Sequence, residues 1–241
     1  MVTMEIKPYS SRDWKSHPPY RFEGYASSMK RAPLKRLVKM KQTLSEITGP
    51  LFGPEAMQPG DADLTRNAGT DGEAMGERVI IVGRVLDESE RPVPNTLIEI
   101  WQANAAGRYQ HEVDQHRAPL DPHFIGAGRC MTNEQGEYRF LTVKPGPYPW
   151  LNHPNAWRPS HIHLSLFGPS IVTRLVTQFF FPGDPLIPMD PILNSVPTKS
   201  GRQRLIASYA HDVTEPEWAL GYRFDVVLRG REQTPFESNG R

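Results

Sequence analysis

The run His161-Ile162-His163-Leu164-Ser165-Leu166 alternates, residue by residue, between polar and aliphatic side chains. A period of two belongs to a β-strand, where residues i and i+2 point to the same face. One face of this strand carries His161, His163 and Ser165, and the other carries Ile162, Leu164 and Leu166. The aliphatic face has to be buried against a second layer, so the strand belongs to a sandwich. The rest of the chain agrees. Its 241 residues hold 24 prolines and 19 glycines, with proline at about twice the usual fraction. That density calls for many short elements joined by turns. Aromatic and branched aliphatic residues are interleaved throughout, which separates the chain from low-complexity disorder.

Strands are expected at Val79–Leu86, Leu97–Gln102, Cys130–Thr132, Tyr138–Val143, His161–Phe167, Leu175–Phe181 and Tyr222–Leu228. Asn133-Glu134-Gln135-Gly136, between the third and fourth of these, has the composition of a hairpin turn. A short helix fits Arg202–Tyr209, capped by Thr198 or Ser200. The expected fold is therefore all-β, with a β-sandwich core and few short helices. Gly107–Phe124 is a long polar stretch rich in His and Asp without a period, the kind of loop that carries function.

Residues 1–77 read as an N-terminal arm, and residues 78–241 as the β-sandwich domain. The arm contains one helix, opened by Pro33, carrying Leu34, Leu37, Val38, Leu44 and Ile47 at near-helical spacing, and stopped by Gly49-Pro50. From Pro54 to Gly76 it becomes an extended polar loop. Its apolar residues, Tyr9, Trp14, Tyr20, Phe22 and Tyr25, are too few for a separate core, so the arm is expected to pack on the main body or on another subunit.

Net charge and cysteine content exclude several classes. A formal charge of +1 gives no field for nucleic acid or an anionic membrane. A single cysteine, Cys130, rules out both an internal disulfide framework and a thiolate metal cage. The segment Met1–Tyr20 has no apolar run of a secretory signal, and the longest aliphatic run, Val79–Val82, is far too short for a bilayer. A cytoplasmic protein is expected.

His161 and His163 lie about 7 Å apart at their Cα atoms on one strand face, close enough to converge on one ion. The bland alternative is two half-exposed histidines on a sheet. Zinc would want a third His, Cys or carboxylate. An iron(II) facial triad would want His-x-Asp/Glu spacing, but the residue two after His161 is another His, and a cupin would add a Glu a few residues on, where Leu164–Ile171 contains no acid. Tyr148 is held in the rigid frame Pro145-Gly146-Pro147-Tyr148-Pro149-Trp150; alone it reads first as a packing tyrosine at a strand end. Tyr109 stands where a strand runs out into the polar loop and is unremarkable by itself. Two phenolates and two imidazoles do make a coherent donor set, since phenolate is a hard anion suited to a trivalent cation.

Tyr148 followed by Trp157-Arg158-Pro159-Ser160-His161-Ile162-His163 resembles the intradiol ring-cleavage dioxygenases. So do Glu77-Arg78-Val79-Ile80, Trp101-Gln102-Ala103-Asn104-Ala105, Phe181-Pro182-Gly183-Asp184 and, in the arm, His17-Pro18-Pro19-Tyr20 and Gly24-Tyr25. The resemblance covers nearly the whole chain in order and spacing. It is strongest to the branch that pairs an α with a β chain and acts on protocatechuate (3,4-dihydroxybenzoate). It implies one non-haem iron(III) per chain, with Tyr109 and His161 equatorial and Tyr148 and His163 axial. It implies that the catechol displaces Tyr148, which takes a phenolic proton. The bond between the two hydroxylated carbons then breaks at the expense of O2, giving 3-carboxy-cis,cis-muconate in the β-ketoadipate pathway. It gives Arg158 an electrostatic role beside the ring, makes Gln178 a polar contact near iron and substrate, and has Tyr25, Trp150 and Ile192 line the pocket. It implies an α-chain partner within a larger oligomer. The rival readings are an intradiol enzyme for catechol or hydroxyquinol, and a non-catalytic β-sandwich binding module.

Overall fold

The computed structural model describes residues 14–35, 38, 57–168 and 174–235. Most of the expected arm helix, along with Tyr9 and the side chain of Trp14, lies outside the described residues. Among those described, the strands are β1 (Arg78–Leu86), β2 (Leu97–Trp101), β3 (Ala127–Met131), β4 (Glu137–Val143), β5 (Tyr148–Pro149), β6 (Trp157–Arg158), β7 (His161–Phe167), β8 (Leu175–Phe180), β9 (Ser208–Tyr209), β10 (Leu220–Arg223) and β11 (Val226–Val227). Three short α-helices accompany them: α1 (Ala26–Arg31), α2 (Pro191–Asn194) and α3 (Lys199–Gln203).

The architecture is a β-sandwich. One sheet runs in the order β3-β2-β7-β8, antiparallel throughout. In the other, β1 pairs antiparallel with β4 and in parallel with β10 and then β11, while β9 adds to β10. Ile162, Leu164 and Leu166 of β7 have no exposed surface and join Ile98 and Ile100 of β2 against Val79, Ile81 and Phe140 of the facing sheet. Each such burial contributes roughly 1.5–3 kcal/mol. A slip of one residue would put His161, His163 and Ser165 into that interior instead, so the aliphatic face fixes the register.

The polar face of β7 is covered too. Ser165 is fully buried, and His161 is 2% exposed, because further structure packs over that side of the sheet. This face is the site.

Several expected boundaries move. Asn133–Gly136 is a turn, with the Asn133 side chain accepting from the backbone N–H of Gln135 and Glu137 and with Gly136 at φ 69°. It does not close a hairpin within one sheet: β3 pairs with β2, β4 with β1, and the turn carries the chain between layers. The third strand is Ala127–Met131 rather than Cys130–Thr132. The expected Tyr222–Leu228 strand is split into β10 and β11 around Phe224-Asp225, where Asp225 accepts from the Arg84 N–H. The expected Arg202–Tyr209 helix starts earlier and stops at Gln203. Thr198 caps it by accepting from the Gly201 N–H, and Ser208–Tyr209 is drawn into strand pairing with Tyr222 and Arg223. The polar stretch before β1 is also no free loop. Leu64 is completely buried, and its backbone N–H donates to the Leu141 carbonyl.

The described part of the arm is fastened at both ends. Ser16 shares a hydrogen bond with Thr198 and accepts from Arg204. Near α1, the Ala26 N–H donates to the Asn152 carbonyl, and the Ser27 N–H and hydroxyl both donate to the Asn152 side chain. Tyr25 is thereby placed beside the β5–β6 hairpin.

Candidate metal centre

The sheet register assembles the first part of the site. Trp101 of β2, His163 of β7 and Gln178 of β8 are successive cross-strand partners, so they share one face. The Trp101 ring stacks flat on His163, with centroids 4.9 Å apart and planes 5° from parallel. His161, two residues along β7, lies 4.9 Å from His163 between ring centroids and is backed by Phe180 at 5.7 Å.

Tyr148 arrives from outside both sheets. The prolines of Pro145-Gly146-Pro147 deny the chain backbone donors for a longer ladder, and what remains is the two-residue pairing of β5 with β6, in which Tyr148 faces Arg158. The Tyr148 ring centroid is 5.6 Å from that of His161.

Tyr109 comes from the long polar loop, and local fastenings hold it. Asn104 Oδ1 accepts from the N–H groups of Ala106 and Arg108, and its amide donates to the Pro119 carbonyl. Arg108 donates to the carbonyls of Asp114, His116 and Ala118, which gathers the loop around it. Asp114 accepts from the Tyr109 N–H at 2.7 Å. Gly107 lies at φ 78°, and a Cβ there would sit 2.2 Å from the Pro147 carbonyl oxygen, so only glycine lets the loop touch the proline frame. The Tyr109 ring then meets Tyr148 edge-on, with centroids 5.4 Å apart.

Arg158 ties the parts together. Its Nε donates to Asp190 Oδ2 at 2.7 Å, and Nη2 donates to Asp190 Oδ1 at 3.2 Å and to Gln178 Oε1 at 3.0 Å. Nη1 donates to His161 Nε2 at 2.9 Å and to Tyr148 Oη at 3.3 Å. All five guanidinium N–H groups are thus used, by a residue only 1% exposed. Burial is the largest single influence and would depress its pKa, but the charges of Asp190 and Tyr148 and the hydrogen bonds to both together outweigh it, so the net direction is upward.

The protonation pattern suits a cation. His161 Nδ1 sits 2.7 Å from the Pro159 carbonyl, which can only accept, so Nδ1 carries the proton and Nε2 offers its lone pair. Metal-binding histidines are oriented by this kind of backbone bond. Burial first, then the positive charge of Arg158, holds His161 well below the usual imidazole range. Burial, followed by His161 and Arg158, does the same for His163. Burial and the nearness of Tyr148 push the Tyr109 phenol well above its ordinary value, against a smaller pull from Arg158. The Tyr109 hydroxyl is buried without a partner in hydrogen-bond geometry. A cation beside it would satisfy that orphan oxygen and reverse the direction of its pKa. Among the described residues, no group of three His, Cys, Asp or Glu side chains gathers for a metal, so the donor set is complete only with the tyrosines.

Of the residues singled out in the sequence, Tyr109, Tyr148, His161, His163, Arg158 and Gln178 are brought together. Trp150 is added through Arg158, whose guanidinium lies 5.4 Å from its ring centroid. Tyr25 follows through Trp150, with ring centroids 5.2 Å apart. Ile192 lies in α2, whose cap Asp190 touches Arg158; that cap is its only connection to the cluster given by these contacts. Asp190 itself escaped the sequence reading. The available signal was Asp190-Pro191, a cap residue before proline at a first helical position.

The β-sandwich thus brings two imidazoles of one strand together with two phenols from outside the sheet, a donor set suited to a hard cation. The dioxygenase family model matches residues 47–230, and the model for the protocatechuate 3,4-dioxygenase β-subunit N terminus matches residues 11–43. The protocatechuate 3,4-dioxygenase β chain of Burkholderia cepacia is 58% identical over 94% of this chain and 96% of its own length. The protocatechuate 3,4-dioxygenase α chain of Pseudomonas putida is 31% identical over 68% of this chain and 77% of its own. In fold, the chain is similar to the hydroxyquinol 1,2-dioxygenase of Pseudomonas putida DLL-E4, with a TM-score of 0.51 and 21% identity over 85% of this chain and 71% of that one. The chain belongs to the intradiol ring-cleavage dioxygenase family.

Proposed function

We infer that this chain is the iron-bearing β chain of a protocatechuate 3,4-dioxygenase, which works with an α chain to open protocatechuate between its two hydroxylated carbons with O2. The product is 3-carboxy-cis,cis-muconate, an intermediate of aromatic catabolism in the β-ketoadipate pathway. One observation carries the reading, a relative with that name 58% identical over 94% of the chain; the gathering of the paired tyrosines and histidines into one cluster supports it.

Tyr109, Tyr148, His161 and His163 would hold one non-haem iron(III) per chain. When bound, that ion supplies Lewis acidity and an acceptor for electron density from a catecholate. The chain's own residues do the rest. Tyr148 acts as general base, its oxygen taking a substrate phenolic proton, and Arg158 Nη1, 3.3 Å from that oxygen, stabilises negative charge before and after the transfer. Gln178 steadies Arg158 by accepting from Nη2. Tyr25, Trp150 and Ile192 line the substrate pocket and exclude water from the ring.

Residues 1–77 serve as an arm and residues 78–241 as the catalytic domain. Leu151, 94% exposed, and Trp157, 43% exposed, stand on the hairpin next to Tyr148 and leave apolar surface for the α chain. No helix among the described residues is long and apolar enough to cross a membrane; the cytoplasmic location is part of this proposal and goes with the catabolic role given to the enzyme.

The test is a visible spectrum of the purified αβ enzyme after iron supplementation, before and after anaerobic addition of protocatechuate, then of catechol and hydroxyquinol. A red-brown charge-transfer band that responds to protocatechuate is expected. A colourless protein retaining its α chain, or a response to catechol or hydroxyquinol alone, refutes the assignment.

A further inference from the structure

Asp190 has no exposed surface, yet it carries a charge and takes three hydrogen bonds from two different elements. Arg158 reaches it twice, through Nε and Nη2. The Leu193 N–H donates to Oδ1 at 2.8 Å, which makes Asp190 the cap of α2. One carboxylate therefore joins the arginine beside the candidate metal centre to the helix that bears Ile192. A planar guanidinium held on two nitrogens by one carboxylate cannot rotate without breaking both bonds. Gln178 takes the remaining Nη2 N–H. The Nε–Nη2 edge is thus committed to anchoring, and Nη1 faces His161 Nε2 and Tyr148 Oη.

We propose that Asp190 is a positioning residue for ring cleavage: it grips one edge of Arg158 so that the Nη1 end is aimed at the reacting ring and at Tyr148. This rests on the β-chain reading above. Filling the His161 Nε2 lone pair with a cation takes away one acceptor of Nη1 and leaves an N–H directed into the cluster. Asp190, Gln178 and Tyr148 are then the contacts that keep that N–H in place. A carboxylate that only capped α2 would not need to be charged, because asparagine caps as well as aspartate.

The experiment uses the iron-loaded αβ enzyme and compares Asp190→Asn, Arg158→Gln and the double variant. Asp190→Asn keeps the cap and nearly the same volume but removes the charge that grips Arg158. Iron content, the charge-transfer band and the Kd for protocatechuate read by anaerobic titration should stay near wild type. At the same time kcat should fall about 100-fold, the scale for losing one aimed donor, with KM moving less than about threefold. In the Arg158→Gln background, Asp190→Asn should change kcat by less than about twofold. Wild-type kcat in Asp190→Asn overturns the proposal, since capping would then explain the residue. So does a further large loss in the Arg158→Gln background, since Asp190 would then not act through Arg158. If Asp190→Asn alone does not fold because it strands a buried cation, Asp190→Glu takes its place, keeping the charge but shifting the carboxylate by one methylene: a fall in kcat with iron content and band unchanged supports the proposal, and wild-type kcat overturns it. A wild-type enzyme without band or activity would instead strike the β-chain reading, a separate failure.

Discussion

Replacing Tyr109 with Phe should stabilise the iron-free protein and disable the iron-loaded one. The substitution removes a buried hydroxyl whose approach to Tyr148 falls short of good hydrogen-bond geometry and leaves the ring, so the edge-on contact with Tyr148 at 5.4 Å survives. An unpaired buried hydroxyl costs about 1–3 kcal/mol relative to its hydrated state. Allowing for the small void left by the oxygen, the iron-free variant should gain about 1–2 kcal/mol. For a chain of this length each kcal/mol moves Tm by roughly 2–4 °C, so a rise of a few degrees is expected. The iron-loaded variant has one phenolate fewer. It should lose most of the visible band and the stabilisation that bound metal confers. The Tm difference between variant and wild type therefore changes sign on iron loading. Scanning calorimetry and visible spectra of chelator-treated and reconstituted αβ enzyme measure both halves. A lower Tm for the iron-free variant would show that the Tyr109 hydroxyl is already satisfied, and an unchanged band would show that Tyr109 is not a ligand.

Two further outcomes follow from the same geometry. His161 and His163 are held neutral in the folded protein, mainly by burial. Their folded pKa values lie below the unfolded value, so their contribution to stability is complete above about pH 6.5 and is lost as pH falls below it. Each should contribute a slope approaching 1.4 kcal/mol per pH unit there, and urea midpoints of the iron-free protein between pH 7.5 and 5.5 that stay flat would contradict this. Gly107→Ala puts a Cβ 2.2 Å from the Pro147 carbonyl at a positive φ. It should cost more than about 2 kcal/mol and lower the iron content by separating Tyr109 from Tyr148, so a variant with full iron and unchanged Tm would refute the role given to that contact.

What could be read in the sequence was what local periodicity encodes. The exact bounds of β7 were legible because aliphatic and polar residues alternate there, and the alternation also put His161 and His163 on one face. The bulk of β1, β4 and β8 was legible from short runs rich in branched aliphatic and aromatic residues. The Asn133–Gly136 turn was legible as a turn, but its chemistry is the same whether it closes a hairpin or carries the chain to another sheet. That choice is made by pairing partners far away in sequence. Ser208 and Tyr209 were assigned to a helix by local pattern and are strand residues because Tyr222 and Arg223 offer a ladder. Asp190 lies 32 residues from Arg158. A buried ion pair leaves no periodic trace in a sequence, so only the cap signal of Asp190-Pro191 marked the residue at all.

The four candidate ligands also differ in how firmly they are held, and the difference matches their chemistry. His161 and His163 sit on a seven-residue strand paired on both sides, over a wholly buried aliphatic face. To move them means moving the core. Tyr109 is on a loop, but Asn104, Arg108 and Asp114 hold that loop with hydrogen bonds on either side of it. Tyr148 is the exception. Its hairpin pairs two residues with two, outside both sheets, and its oxygen has a single long bond to Arg158. Moving the Tyr148 side chain would break no hydrogen bond within either sheet, and Arg158, anchored at its other edge by Asp190, would remain in place beside it. Were Tyr148 the ligand that substrate displaces, as the family resemblance implies, it would stand on the element whose displacement costs the core least.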